Sequence, residues 1–182
     1  MHGLVHRSIR SLVIQTAGNP VWEEILQKTG MDASAFLGIE SYTDEQTHGL
    51  IGQVCSSLNL PLETALHAVG RHWVSFVQTE GYGSMLTLFG ADVRSCLRSL
   101  NQMHSHMGTS LKGIQFPRFQ VISESPQDLV LEYRSKRAGM FPFLLGLLEG
   151  LAEFYQEKVE LVPMLKAQTG AENDRVQVRF LA

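Results

Sequence analysis

The chain has 182 residues, 44% of them apolar and 18% charged, with a formal net charge of −3. That is enough for one domain with a full core, and it is neither a disordered nor a fibrous composition. The only dense basic run is Arg134, Lys136 and Arg137, which argues against a nucleic-acid partner. Cys55 and Cys96 form no CxxC pair, so a disulfide framework and a zinc knuckle are both disfavoured and a reducing compartment fits. The longest nearly apolar stretch, residues 139–152, is broken by Pro142 and Glu149 and falls short of the ~20 residues a membrane span needs. The first twenty residues are interrupted by His6, Arg7 and Arg10 and show no signal-peptide pattern, so a soluble cytoplasmic protein is expected.

The first 108 residues read as helices. Asn19-Pro20 opens one, with Asn19 as the cap and Pro20 at the first helical position, and Gly30 ends it. Thr43 and Gln46 have the spacing of a capping box. Pro61 opens a longer helix through residue 77, and the glycines at 81, 83 and 90 break the pattern after it. Asp92 then caps a helix ending at Gly108, whose apolar stripe is Val93, Leu97, Leu100, position 104 and Met107. Beyond Gly113 the period changes. Residues 116–122, 128–134, 158–163 and 174–182 alternate as strands, with an apolar helix from Pro142 to Tyr155 between the pairs and a turn at 168–173. The expected fold is α+β: one domain over 1–182, with a helical lobe at about 1–60 and a second lobe at about 61–182 carrying an antiparallel sheet.

Position 104 is a histidine in the middle of a buried stripe. Periodicity alone leaves two readings, a core histidine satisfied by a carbonyl or a metal ligand. His106 lies about 200° further round the helix and cannot chelate the same ion. A single protein ligand on an apolar face suits haem better than zinc, which wants three or four. In the run Tyr133-Arg134-Ser135-Lys136-Arg137, an extended backbone puts Tyr133, Ser135 and Arg137 on one side. A phenol, a hydroxyl and a guanidinium together form a clamp for carboxylates or phosphates. The alternative is a strand end with solvated charges. Together, an axial ligand and a carboxylate clamp match the iron and the propionates of a haem.

These residues carry a resemblance. MHGLVHRSI, VWEEILQKTG, GRHWVSF, LNQMHSHMG, FPRF, YRSKR and FLLGLLEG together resemble the H-NOX family, the haem nitric oxide/oxygen-binding domains of soluble guanylate cyclases and of stand-alone bacterial sensors. The resemblance implies a haem b sandwiched between the lobes. It implies His104 as axial ligand of the iron, Tyr133, Ser135 and Arg137 on the propionates, and Pro117 pressing the haem out of plane. It also implies a distal gas pocket of Val5, Trp73, Phe143 and Leu147. Oxygen-binding members carry a distal tyrosine where this chain has Phe143, with Phe141 as the other possible alignment. Neither can donate a hydrogen bond, and Tyr155 is expected to be the only nearby tyrosine. The Trp73 indole is a donor, read here as bulk against the porphyrin.

The implied function is a sensor, not an enzyme. Nitric oxide would bind ferrous five-coordinate haem, weaken or break the bond to His104 and so signal; CO would also bind, and O2 weakly or not at all. No catalytic domain is read in these residues, so the output is expected in another polypeptide, by resemblance a histidine kinase or a cyclic-di-GMP enzyme of a bacterium, or in a further part of the same protein. The alternatives are an O2-binding haem protein and a haem-free ligand or scaffold module. His2, His6, His48, His67 and His72 are expected at the surface or in supporting roles.

Overall fold

The computed structural model describes residues 3–32, 36, 42–110, 116–165 and 174–181. Helices α1 (Gly3–Ala17), α2 (Asn19–Thr29), α3 (Asp44–Leu58) and α4 (Leu62–Val77) come first. A π-turn (Gln78–Tyr82) then leads into α5 (Gly83–Phe89) and α6 (Val93–Ser110). Strands β1 (Arg118–Glu124) and β2 (Asp128–Arg134), helix α7 (Phe141–Tyr155), and strands β3 (Lys158–Leu165) and β4 (Asp174–Leu181) complete an α+β fold. Among the described residues no helix is long and apolar enough to cross a membrane. The turn expected at 168–173 lies outside the described residues.

Local chemistry accounts for most boundaries. Gln46 N–H donates to Thr43 Oγ1 at 3.2 Å and Thr43 N–H donates to Gln46 Oε1 at 3.0 Å, so both halves of the capping box form. Gly30 ends α2 at φ 65°, a left-handed conformation that glycine adopts without a Cβ clash. The start of α2 differs from expectation. Asn19 is already helical and its side chain donates to Glu23 Oε1 at 2.6 Å, while Gly18, at φ 87°, holds the cap position. The glycine-rich break after α4 is a π-turn kinked at Gly81 (φ 89°), and the chain resumes as a helix at Gly83. Arg7 of α1 forms an ion pair with Glu80 in that turn.

The sheet order is β1-β2-β4-β3, antiparallel throughout. Leu129 and Leu131 of β2 and Val176 and Val178 of β4 are completely buried. They share one core with Val93, Leu97 and Leu100 of α6 and with Leu144, Leu148 and Leu151 of α7. A second core joins Ile9, Trp22, Ile25, Phe36, Leu50 and Val69 of the first helices. Helices α4 and α7 bridge the two at very close range. A Cβ on Gly70 would lie 2.1 Å from the Phe143 carbonyl oxygen, and one on Gly146 would lie 2.0 Å from that of His67.

Helix α6 is held firmly along its first half. Ser95 N–H donates to Asp92 Oδ1 at 2.6 Å, the cap the sequence implies. Arg94 donates to Glu124 at 2.6 Å and to the Ser125 and Pro126 carbonyls at 2.9 and 3.0 Å, and lies 4.3 Å from the Phe180 ring centroid. Asn101 clasps the Phe119 backbone, accepting from its N–H at 3.0 Å and donating to its carbonyl. The helix runs two residues past the expected stop at Gly108.

Candidate functional site

The apolar stripe of α6 delivers His104 to a cavity of about 530 Å³ between the helices and the sheet. Val93, Leu97 and Leu100 bury the same face. The imidazole stacks on Phe116, with centroids 4.7 Å apart and planes 18° apart, and lies 5.7 Å from the Phe119 ring. Its Nδ1 is buried without a hydrogen-bond partner among the described residues. Burial holds the ring neutral, with its pKa pushed down to about 4. The Pro117 backbone carbonyl pulls weakly the other way without reaching hydrogen-bond geometry at Nδ1. A neutral imidazole keeps one ring nitrogen able to accept, so a neutral His104 lining the cavity suits a cation or a donor there.

Tyr133, Ser135 and Arg137 line the same cavity, while Arg134 and Lys136 do not. Strand β2 ends at Arg134, so the alternation carries past the strand itself. Tyr133 is buried, and desolvation raises its phenol above the usual range, partly offset by a hydrogen bond with Ser135. Ser135 Oγ accepts the Arg137 backbone N–H at 3.1 Å. The Arg137 guanidinium donates through Nε to Asp44 Oδ1 at 2.8 Å, and the Asp44 carboxyl is held below its ordinary pKa chiefly by that bond. Asp44, the first residue of α3, was not foreseen; it is 93 positions from its partner, and no local pattern links the two.

Pro117, Val5, Trp73, Phe143 and Leu147 also line the cavity, together with Leu4, Met85, Met103 and Met140. Phe141 is buried but does not line it. The expectation about tyrosines needs correction. Tyr155 is not a lining residue; its hydroxyl donates to the Leu86 and Gly90 carbonyls at 2.8 and 3.2 Å. Tyr42 and Tyr82 do line the cavity. Tyr42 arrives from two residues before α3, and Tyr82 from the π-turn, placements that only the tertiary fold supplies.

His6 was expected in a surface or supporting role and is fully buried. Its Nε2 lies 2.9 Å from Thr47 Oγ1, its ring stacks 4.1 Å from Tyr42, and burial lowers its pKa to about 4. His72 meets Ser11 of α1 at 3.1 Å.

The sequence profile of the family described as Haem-NO-binding matches residues 2–162. Among curated proteins, the chain is 28% identical over 162 residues to the soluble guanylate cyclase gcy-35 of Caenorhabditis elegans, covering 84% of this chain and 22% of that one. It is 25% identical over 171 residues to gcy-33 of the same organism, covering 93% and 18%. The chain thus spans about a fifth of the length of these relatives. Among solved structures, an H-NOX protein from S. oneidensis in the Fe(II)NO state superposes with a TM-score of 0.89 at 20% identity, over all of both chains. An oxygen-binding H-NOX domain related to soluble guanylate cyclases superposes at 0.83 and 21% identity, over 99% of this chain and 95% of that one. At these identities the likeness concerns the fold.

Proposed function

Because the chain belongs to the haem-NO-binding family, we propose that it is a haem-based gas sensor that binds nitric oxide and reports it through His104. The observation that carries this reading is the buried, neutral His104 with an unpartnered ring nitrogen, facing a cavity that also presents Tyr133, Ser135 and Arg137. A haem b fits these residues. His104 offers one imidazole to the iron, the three donors offer hydrogen bonds and a positive charge to two propionates, and apolar side chains surround the porphyrin. A ferrous haem held there would supply an iron able to bind a diatomic gas.

The chain's own residues do the rest. Phe116 and Phe119 fix the tilt of the imidazole. Burial keeps it unprotonated and able to coordinate. Arg137 must exchange its Asp44 partner for a propionate or share itself between them. Pro117, next to Phe116, lines the cavity where it can bear on the ring plane. Val5, Trp73, Phe143 and Leu147 line the cavity and would form the gas pocket, where Phe143 has no hydrogen-bond donor to favour oxygen over nitric oxide. As the residue that would hold the iron, His104 would couple a bound gas to the second half of α6, whose surface a partner would read. By resemblance to stand-alone members the partner is a histidine kinase or a cyclic-di-GMP enzyme in a bacterial cytoplasm. The guanylate cyclase relatives make a cyclase the second candidate.

The test is an absorption spectrum of the ferrous protein alone, with nitric oxide, and in air. A five-coordinate ferrous spectrum that changes with nitric oxide and forms no stable oxygenated species is expected. A stable oxygenated spectrum would establish the O2-binding alternative, and a protein that takes up no haem would return the fold to a scaffold role.

A further inference from the structure

The solvent-facing side of the sheet is electrically polarised. At one end, Arg118 of β1, Arg134 of β2 and Arg175 of β4 gather on three neighbouring strands around a single carboxylate, Glu132. Arg134 donates to Glu132 Oε1 from Nη2 and Nε at 2.8 and 3.1 Å. Arg175 donates to Oε2 from the same two positions at 2.9 and 3.1 Å. The Glu132 side chain is 5% exposed, while the two arginines are 59% and 43% exposed. The carboxylate is therefore a post that fixes two guanidinium forks facing solvent.

Arg118 is exposed, forms no ion pair among the described residues, and is the direct cross-strand partner of Arg134. Like charges placed opposite one another oppose strand pairing, and Arg134, pinned by Glu132, is not free to swing away. The other positions in this corner, Gln120 and Gln177, are neutral. Among the described residues on this face of the corner, two positive charges thus stand in excess, on a chain whose net charge is −3. At the far end of the same face Arg179 is matched by Asp128 and Glu160, so the excess is confined to one corner.

That corner lies one sheet thickness from the cavity. Pro117 and Tyr133 line the cavity, and the next residues along the chain are Arg118 and Arg134. A displacement of Pro117 relative to Tyr133 would change the spacing of the guanidiniums behind them. We infer that Arg118, Arg134 and Arg175 form the docking surface for an acidic segment of the protein that reads this sensor. The inference rests on the sensor reading only for the existence of such a reader. A nucleic acid fits less well, since high affinity for a duplex draws on many phosphate contacts and this corner offers three cations on an acidic chain.

A fluorescently labelled octaglutamate peptide, titrated with the full chain in low-salt buffer and followed by anisotropy, tests it. Saturable binding that salt abolishes is expected. Arg118→Glu, a change at an exposed and unpaired side chain, should weaken binding about tenfold, as several exposed charge contacts are lost or reversed together. Arg134→Gln should weaken it less, and Arg71→Gln, on the helical side of the molecule, should leave it unchanged. The inference fails if the peptide does not bind, if Arg71→Gln weakens binding as much as Arg118→Glu, or if a short DNA duplex binds more tightly than the peptide. Haem uptake measured on the same samples separates the two proposals: peptide binding without haem uptake removes the sensor and keeps the surface, and haem uptake without peptide binding does the reverse.

Discussion

Replacing Gly146 by alanine puts a methyl group where α4 and α7 leave no room. The new Cβ would sit 2.0 Å from the His67 carbonyl oxygen, 2.9 Å from its carbon and 2.8 Å from the Arg71 nitrogen. Carbon contacts relax near 3.5–4.0 Å. All three obstacles are backbone atoms of α4, so no side chain can yield, and the helices must part by 1 Å or more. Overpacking of this kind costs about 1–3 kcal/mol, and rigid obstacles place it at the upper end. The better helix propensity of alanine returns about 0.5–1 kcal/mol. A net loss of about 2 kcal/mol lowers Tm by about 4–8 °C in a chain of this length. Gly49 in α3 is the control. Nothing lies within 4 Å of a Cβ there, so Gly49→Ala should gain about 0.5–1 kcal/mol and raise Tm by about 1–4 °C. Circular-dichroism melts of both variants decide the matter. If Gly146→Ala melts with the parent protein, or both variants shift in the same direction, the close approach of α4 and α7 is wrong. So then is the pocket wall they carry, because Phe143 and Leu147 flank Gly146 on that helix.

Arg137→Ala should weaken haem retention ten- to hundredfold, the worth of one charge-assisted hydrogen bond, while Lys136→Ala leaves it unchanged; haem transfer to an apo-globin acceptor measures both, and equal losses would remove Arg137 from the clamp. Phe143→Tyr should give the ferrous protein measurable O2 affinity, seen as an oxygenated spectrum in air, and no change would mean that residue 143 does not reach the bound gas. His6 has a folded-state pKa of about 4 against an ordinary 6.5. The unfolded chain therefore takes up the proton first, and the His6 contribution to stability is full above about 6.5 and is lost as pH falls toward 4. Its share is about 3 kcal/mol. Denaturant titrations across that range should show a flatter pH slope for His6→Gln than for the parent, and parallel slopes would place His6 in contact with solvent.

The sequence exposes whatever is written in local order. The period of α6 puts His104 among Val93, Leu97 and Leu100, and the alternation of β2 separates Tyr133 from Arg134. The box of Thr43 and Gln46 marks the start of α3. What it hides is everything assembled across the chain. Asp44 meets Arg137 only because α3 ends up beside the strand exit, and Tyr42 and Tyr82 reach the cavity from a helix entry and a kink with no periodicity. His6 illustrates the limit of pattern reading. It sits on the buried side of α1, where Thr47, 41 residues away, meets its Nε2 while its Nδ1 has no hydrogen-bond partner among the described residues. Asn19 shows the opposite failure: a good capping residue spent its side chain on Glu23 and left the cap to glycine.

The clasp between Asn101 and the Phe119 backbone gives α6 the mechanics of a lever. A helix rises about 1.5 Å per residue. With Asn101 as the fulcrum, His104 lies about 4.5 Å along the arm and Ser110, at the end of the helix, about 13.5 Å. A tilt that shifts the imidazole by about 1 Å therefore sweeps the helix end through about 3 Å. The first half, tied down by Arg94 and Asp92, serves as the mounting, so a motion of atomic size at the histidine would be about three times as large at the helix end.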